Sequence, residues 1–251
     1  MPEEKNKLKS ISIFFPCYND KGTIASLVLE AKKIVEKITD DFEIIVVDDF
    51  SSDGSRELLL ELQHDVPQLK LVFHDQNRGY GGALRSGFRA AVKEWVFYTD
   101  GDGQYDVEEL PLLLNKLDGK ADIVNGYKTK RSDPWHRIIV GAVYQYAVKF
   151  IFWLPIKDPD CDFRLIRRKI FDRVKLKSNT GTITIELIKK IQLAGFNFSE
   201  VGVSHYFRVY GKSQFFNFKR IFKTLWQLIF LWPELMIFSS RAKDRPHNCI
   251  V

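Results

Sequence analysis

The chain has 251 residues, three cysteines and a formal net charge of +6. A chain of this length can bury a core without disulfide staples, and Cys17, Cys161 and Cys249 form no C-x-x-C pair, which argues against a disulfide framework and a zinc site. The positive charge favours anionic partners, but no RNA-recognition signature, zinc-finger spacing or heptad-flanked basic region is present, so nucleic acid is not expected among them.

Residues 1–10 form a polar tail without the apolar run of a secretory signal, so the chain is expected to stay in a reducing cytoplasm. Ile11 to Cys17 is a β-type run followed by a turn, Tyr18-Asn19-Asp20-Lys21-Gly22. Ile24, Leu27, Val28, Ala31, Ile34, Val35 and Ile38 then recur at three- and four-residue steps, predicting a helix over about 23–38. Phe42 to Val47 is a second buried strand ending at Asp48 and Asp49, and strand, helix, strand makes a parallel crossover. The alternation continues with a helix near 54–64, a strand at 69–74, a helix near 80–92, a strand at 95–99, a helix near 107–117 and a strand at 122–128. The expected fold class is α/β, a doubly wound and mostly parallel sheet with helices on both faces. In such sheets ligands bind beyond the carboxyl ends of the strands. Three ends carry polar clusters: Tyr18-Asn19-Asp20, Asp48-Asp49 and Asp100-Gly101-Asp102.

The second half holds an apolar aromatic stretch from Ile138 to Ile156, a strand-like run from Phe163 to Ile166, a helix near 182–194 and a strand near 198–208. Neither Ile138–Ile156 nor the run from Phe215 to Phe238 makes a clean membrane span, because charged residues and proline interrupt both. Basic residues interleaved with aromatics suit helices that lie in a headgroup layer; closing the core or a dimer interface is the alternative. The expected organisation is a tail over 1–10, one α/β domain over 11–214 and an amphipathic, membrane-interfacial helical segment over 215–251.

Asp100 and Asp102 sit where a chain leaves the sheet, with Gln104 beside them. Two carboxylates and an amide oxygen suit a hard dication, Mg²⁺ or Mn²⁺, that keeps positions open for substrate phosphates; a plain polar turn is the competing reading. Asp48 is placed to accept hydrogen bonds from a ribose or base, whereas Asp53 also fits a helix cap. The glycines of Asn77-Arg78-Gly79-Tyr80-Gly81-Gly82-Ala83 suit a loop that approaches a nucleotide, although the spacing is not that of a dinucleotide fingerprint. Arg164, heading a basic run with Arg167, Arg168 and Lys169, is a candidate for a phosphate or headgroup. No histidine pair has metal-ligand spacing.

Taken together and in order, Pro16-x-Tyr18-Asn19-Asp20, Asp48-Asp49-x-Ser51-x-Asp53-Gly54, Asn77-x-Gly79-x-Gly81, Asp100-x-Asp102-x-Gln104 and Asp158-x-Asp160-Cys161-Asp162-Phe163-Arg164 resemble an inverting family 2 glycosyltransferase of the GT-A fold. Arg208-x-x-Gly211-x-Ser213-Gln214 is similar to the dolichyl-phosphate mannose synthase and polyprenyl-phosphate branch; Asp162 and Gln214 depart from the common pattern at two positions. The resemblance covers about 10–220. It implies that Pro16, Tyr18, Asp20, Asp48, Asp49, Gly79, Gly101 and Ser213 bind a GDP- or UDP-linked hexose together with Asp100 and Asp102, and that Asp100, Asp102 and Gln104 hold the metal. It implies Lys128, Arg137, Arg164 and Arg208 on the acceptor, with Asp100, Asp102 and Arg208 catalytic. The implied acceptor is a polyprenyl phosphate, met at the cytoplasmic face of a membrane by a peripheral enzyme, with a separate membrane protein as a further partner.

Two other functions fit the same residues. One is transfer to a sugar hydroxyl of a lipid-linked or cell-surface glycan, for which Asp160, Asp162 and Glu186 are base candidates. The other is a non-catalytic nucleotide-sugar sensor or membrane scaffold, against which the intact Asp100, Asp102 and Gln104 set argues.

Overall fold

The computed structural model describes residues 8–131, 135–208, 210 and 218–238. Among these, seven strands form one sheet: β1 (Ile11–Cys17), β2 (Phe42–Asp48), β3 (Leu69–Phe73), β4 (Trp95–Thr99), β5 (Ile123–Arg131), β6 (Phe163–Arg167) and β7 (Phe198–His205). Their order is β3-β2-β1-β4-β6-β5-β7. β6 runs antiparallel to both β4 and β5, and every other neighbouring pair is parallel. The mostly parallel α/β sheet expected from the apolar runs is therefore present.

The helices are α1 (Ile24–Val35), α2 (Ser55–Asp65), α3 (Tyr80–Ala90), α4 (Leu110–Leu114), α5 (Trp135–Phe152), α6 (Ile170–Arg173), α7 (Ile183–Leu193) and α8 (Phe218–Pro233). Alternation along β1 divides the core. Ile11, Ile13, Phe15 and Cys17 pack with α1 on one face, while Phe14 packs with Ile45, Val47 and residues of α3, α5 and α7 on the other. Both faces are covered, which is why the central strands read as unbroken apolar runs.

The helix expected over 107–117 is instead a 3₁₀ turn, Val107–Glu109, followed by the short α4. Asp106 caps the turn by accepting the Glu108 N–H at 2.8 Å. Asp118 accepts the N–H groups of Lys120 (2.9 Å) and Ala121 (3.1 Å), bending the chain toward β5 before another helical turn can form.

No helix among the described residues is long and apolar enough to cross a membrane. α8 and the π turn after it bury Leu228 and Leu235 in the core, so this part of the 215–251 segment is docked on the sheet domain. Its other face leaves Trp226, Ile229 and Phe230 exposed. α5 likewise exposes Tyr146 and Phe150, Trp153 is exposed just after it, and Trp232 of α8 donates its indole N–H to the Ile151 carbonyl at 3.2 Å, joining the two helices.

Candidate active site

The parallel strands and the reversed β6 bring their ends to one rim. Asp20 follows β1, Asp48 ends β2, Asp100 follows β4, and Asp162 precedes the antiparallel β6, so all four carboxylates arrive at the same edge. Lys128 lies near the C-terminal end of β5 and Arg208 just beyond β7. The rim therefore holds carboxylates and cations together, and Arg208 reaches back from the β7 end to the carboxylates at the centre.

Asp100 and Asp102 meet at the centre. Asp100 Oδ1 accepts the Tyr80 hydroxyl at 2.7 Å. Burial, reinforced by the charges of Asp162 and Asp102, holds the Asp100 carboxyl well above the usual range. Asp102 accepts the Gln104 N–H at 3.1 Å through Oδ1, while Oδ2 accepts Arg208 Nε at 3.2 Å and also pairs with Arg208 Nη2. The Gln104 amide donates to the Tyr206 carbonyl at 3.2 Å, leaving its Oε1 as an acceptor. Gly101 packs so close that a Cβ there would stand 2.5 Å from the Pro16 carbonyl oxygen, so it serves the close approach of the acidic loop to β1.

This donor set fits a hard dication. Among the described residues no three His, Cys, Asp or Glu side chains form a preformed cation cage. Two carboxylates and an amide oxygen with surplus negative charge match a Mg²⁺ or Mn²⁺ site completed by phosphate oxygens and water.

At the β1 and β2 end of the rim, Tyr18 is exposed, and its N–H donates to Asp20 Oδ2 at 3.1 Å. Burial pushes the Asp20 carboxyl up to about 6, and Asp102 adds to the rise. Asp48, expected from sequence to be the better ribose or base ligand, is fully buried with both oxygens near the Ser51 N–H and Oδ2 held by Arg56 Nε at 2.6 Å. Asp49 is bound by the His74 ring and by the Arg78 N–H, each through Oδ1. Gly79 has φ +75°, and a Cβ there would stand 2.4 Å from the Asn179 carbonyl oxygen, so this loop position favours glycine. Asp53 accepts the Ser55 N–H at 3.0 Å and the Lys21 N–H at 3.0 Å, joining the start of α2 to the turn after β1.

Arg164 requires a correction. Expected on the acceptor, it is fully buried, and its guanidinium reaches Asn125 Oδ1 (2.5 Å), the Tyr98 hydroxyl, Asp162 Oδ1 (2.7 Å) and the Pro159 carbonyl (2.5 Å). Its neighbours on β4 and β5 are Tyr98 and Asn125 in register, so the pairing of β6 draws the cation inside. Glu186, a base candidate from sequence, is also buried: it accepts the N–H groups of Lys177 (2.9 Å) and Ser178 (2.8 Å) and pairs with Lys190 (2.5 Å). Lys128 donates to the Asp160 carbonyl at 2.9 Å. Arg137 falls within α5, and Ser213 and Gln214 lie outside the described residues. Tyr80, Arg56 and His74 were not singled out by sequence reading, since their partners come from other strands.

Burial pushes the Asp160 carboxyl up to about 6, against the pull of Lys128 and with help from Asp158 and Asp162. The fold thus favours the protonated form: this stability is fully present below about pH 4 and lost as pH rises through about 6. Asp160→Asn is expected to raise the urea midpoint at pH 7.5 by the equivalent of up to about 3 kcal/mol and to leave it unchanged at pH 4. Equal gains at the two pH values would refute that origin.

The Glycosyl transferase family 2 sequence model matches residues 12–175. Among solved structures, the chain is similar to glucosyl-3-phosphoglycerate synthase from Mycobacterium tuberculosis in complex with Mn²⁺, UDP and glucosyl-3-phosphoglycerate: TM-score 0.63, 18% identity, 80% of this chain and 73% of that one. The UDP complex of the same synthase gives TM-score 0.67 at 16% identity over 90% and 79% of the two chains. A mannosyltransferase from Pyrobaculum calidifontis in complex with GDP-Man and Mn²⁺ gives TM-score 0.62 at 19% identity, over 84% of this chain and 61% of that one. At these identities the likeness is one of fold.

Proposed function

Since the chain belongs to glycosyl transferase family 2 and is a glycosyltransferase with the GT-A fold, we propose that it transfers a hexose, with inversion, from a GDP- or UDP-linked donor to a polyprenyl phosphate. The observation that carries this reading is the rim: Asp100 and Asp102 stand with Asp162 at its centre, Arg208 pairs with Asp102 there, and Lys128 stands near the end of β5. The complexes of the similar synthase and mannosyltransferase contain Mn²⁺ with UDP or GDP-Man, which supports a metal-assisted donor site here.

Asp100, Asp102 and Gln104 would hold Mg²⁺ or Mn²⁺, which supplies positive charge to the departing diphosphate. Tyr18, Asp20 and Asp49 line the nucleoside side, with Pro16 and Gly101 shaping its floor, and Asp48 supports it from within. The bond between the anomeric carbon and the diphosphate oxygen breaks as an acceptor oxygen bonds to that carbon from the opposite face. Arg208 and Lys128 offset the charge of an acceptor phosphate. Such a phosphate, with a second pKa near 6, is largely ionised at neutral pH and attacks without a general base.

The exposed aromatic side chains of α5 and α8, with Tyr206 and Phe207 beside Arg208, support a membrane surface as the place where the lipid is met. In this reading the protein is peripheral on the cytoplasmic face, and a separate membrane protein is a further partner. The deciding assay combines purified protein, Mn²⁺ or Mg²⁺, UDP- and GDP-hexoses and a polyprenyl phosphate in vesicles, with products read by mass spectrometry. A glycosylated lipid phosphate is expected; donor turnover without that product would exclude the acceptor.

A second reading, transfer to a sugar hydroxyl, is favoured by Asp160, since a carboxyl pushed up to about 6 is suited to a general base. Under it, Asp160→Asn loses most of its turnover, and the residual rate no longer falls on the acidic side of the pH profile. With a phosphate acceptor, turnover by the same variant survives.

A further inference from the structure

The helix α3 reaches the rim twice. At its first residue, the Tyr80 hydroxyl donates to Asp100 Oδ1 at 2.7 Å. A tyrosine hydroxyl is protonated at neutral pH, so it acts as the donor in this bond. The bond occupies one oxygen of Asp100 and fixes the direction in which the other can face.

Further along α3, the Ser86 hydroxyl lies 2.9 Å from His74 Nε2, and His74 Nδ1 lies 2.6 Å from Asp49 Oδ1. A carboxylate only accepts, so in the neutral ring the proton sits on Nδ1 and Nε2 accepts the serine O–H. The Arg78 N–H donates to the same Asp49 oxygen at 2.7 Å, and Asn77 Nδ2 donates to the Asp49 carbonyl at 3.2 Å. Asp49 Oδ1 is thus held from two sides, and Oδ2 has no hydrogen bond among the described residues.

The helix itself is firmly seated. The Gly81 N–H donates to the Asn179 carbonyl at 3.1 Å, and Arg85 donates to the Lys177 carbonyl at 2.7 Å and pairs with the Asn179 side chain. Ala83, Leu84 and Phe88 lie in the core. Tyr80 and Ser86 therefore project from a backbone anchored by contacts outside the rim.

We infer that α3 positions both ends of the donor site: Tyr80 aligns Asp100 toward the cation, and Ser86 through His74 aligns Asp49 toward the nucleoside. This rests on the donor site proposed above. Tyr80 and His74 are positioning residues, because each acts through a carboxylate. Partners of this kind commonly change metal affinity 10- to 100-fold when removed.

The test separates the two ends. Free Mn²⁺ is followed by electron paramagnetic resonance at saturating UDP or GDP, and nucleotide affinity is measured by calorimetry in EDTA. Tyr80→Phe is expected to weaken Mn²⁺ binding about 10- to 100-fold and leave metal-free nucleotide affinity unchanged. His74→Leu is expected to weaken metal-free nucleotide binding about tenfold with Mn²⁺ affinity unchanged; His74→Asn, whose amide N–H stands near the place of Nδ1–H, restores it. Ser86→Ala should give a smaller loss at the nucleotide end alone. Melting temperatures check that each variant is folded. If the wild type binds neither Mn²⁺ nor nucleotide, the donor site itself is wrong. If the wild type binds both and the variants bind as tightly, or lose both affinities together, the role given to α3 is wrong.

Discussion

Asp102→Asn is expected to lower turnover by about a hundredfold to a thousandfold at saturating donor and metal, equivalent to roughly 3–4 kcal/mol in the barrier. The substitution keeps the shape and the acceptance of the Gln104 N–H through the amide oxygen, but it removes a charge from the proposed cation site. It also releases Arg208 from its ion pair, so the cation proposed to act on the reacting phosphates loses its fixed orientation. Stability should move far less. Asp102 is one of the charges that raise the Asp100 and Asp20 carboxyls, so its removal relieves repulsion while costing the half-buried Arg208 a partner. Initial rates and urea midpoints measured on the same preparation check this. Turnover within threefold of wild type would remove Asp102 from the mechanism.

Arg164→Met carries the largest expected effect on folding. The side chain is fully buried, and its guanidinium serves two side-chain oxygens, one carboxylate and one carbonyl at once. Methionine replaces much of the volume but leaves Asp162 without its cation and the other acceptors without a donor. Breaking one side of a buried ion pair costs about 3–5 kcal/mol. Arg164→Lys should recover part of this, since it keeps the charge but cannot fork between Asn125, Tyr98 and Asp162. Chemical denaturation reads both. A stable Arg164→Met protein whose only defect is a raised KM for acceptor would instead restore the direct acceptor role expected from sequence.

The contrast between these residues shows how far the chain alone could be read. Asp100 and Asp102 were recognisable because an unbroken apolar strand ends in them, and strand ends in a wound sheet face the ligand rim. Arg164 looked like the first member of a basic surface run, since Arg167, Arg168 and Lys169 follow it. Its alternation along β6 turns it inward between Tyr98 and Asn125, which no local pattern announces. Glu186 was a base candidate in the sequence, yet it is buried beneath the 177–178 backbone and binds two of its N–H groups.

By itself the sequence determined the alternating strands and helices, the two-sided burial of the central strands and the polar clusters at their ends. These follow from side-chain periodicity and turn chemistry, which act over a few residues. Only the tertiary structure decided that β6 enters the sheet reversed between β4 and β5, that Asp48 is locked by Arg56 while Asp49 is held by His74, and that Tyr80 meets Asp100. Those outcomes depend on strand order and on contacts between residues distant in the chain, where the burial of a charge is settled by whichever partners the packed sheet brings to it.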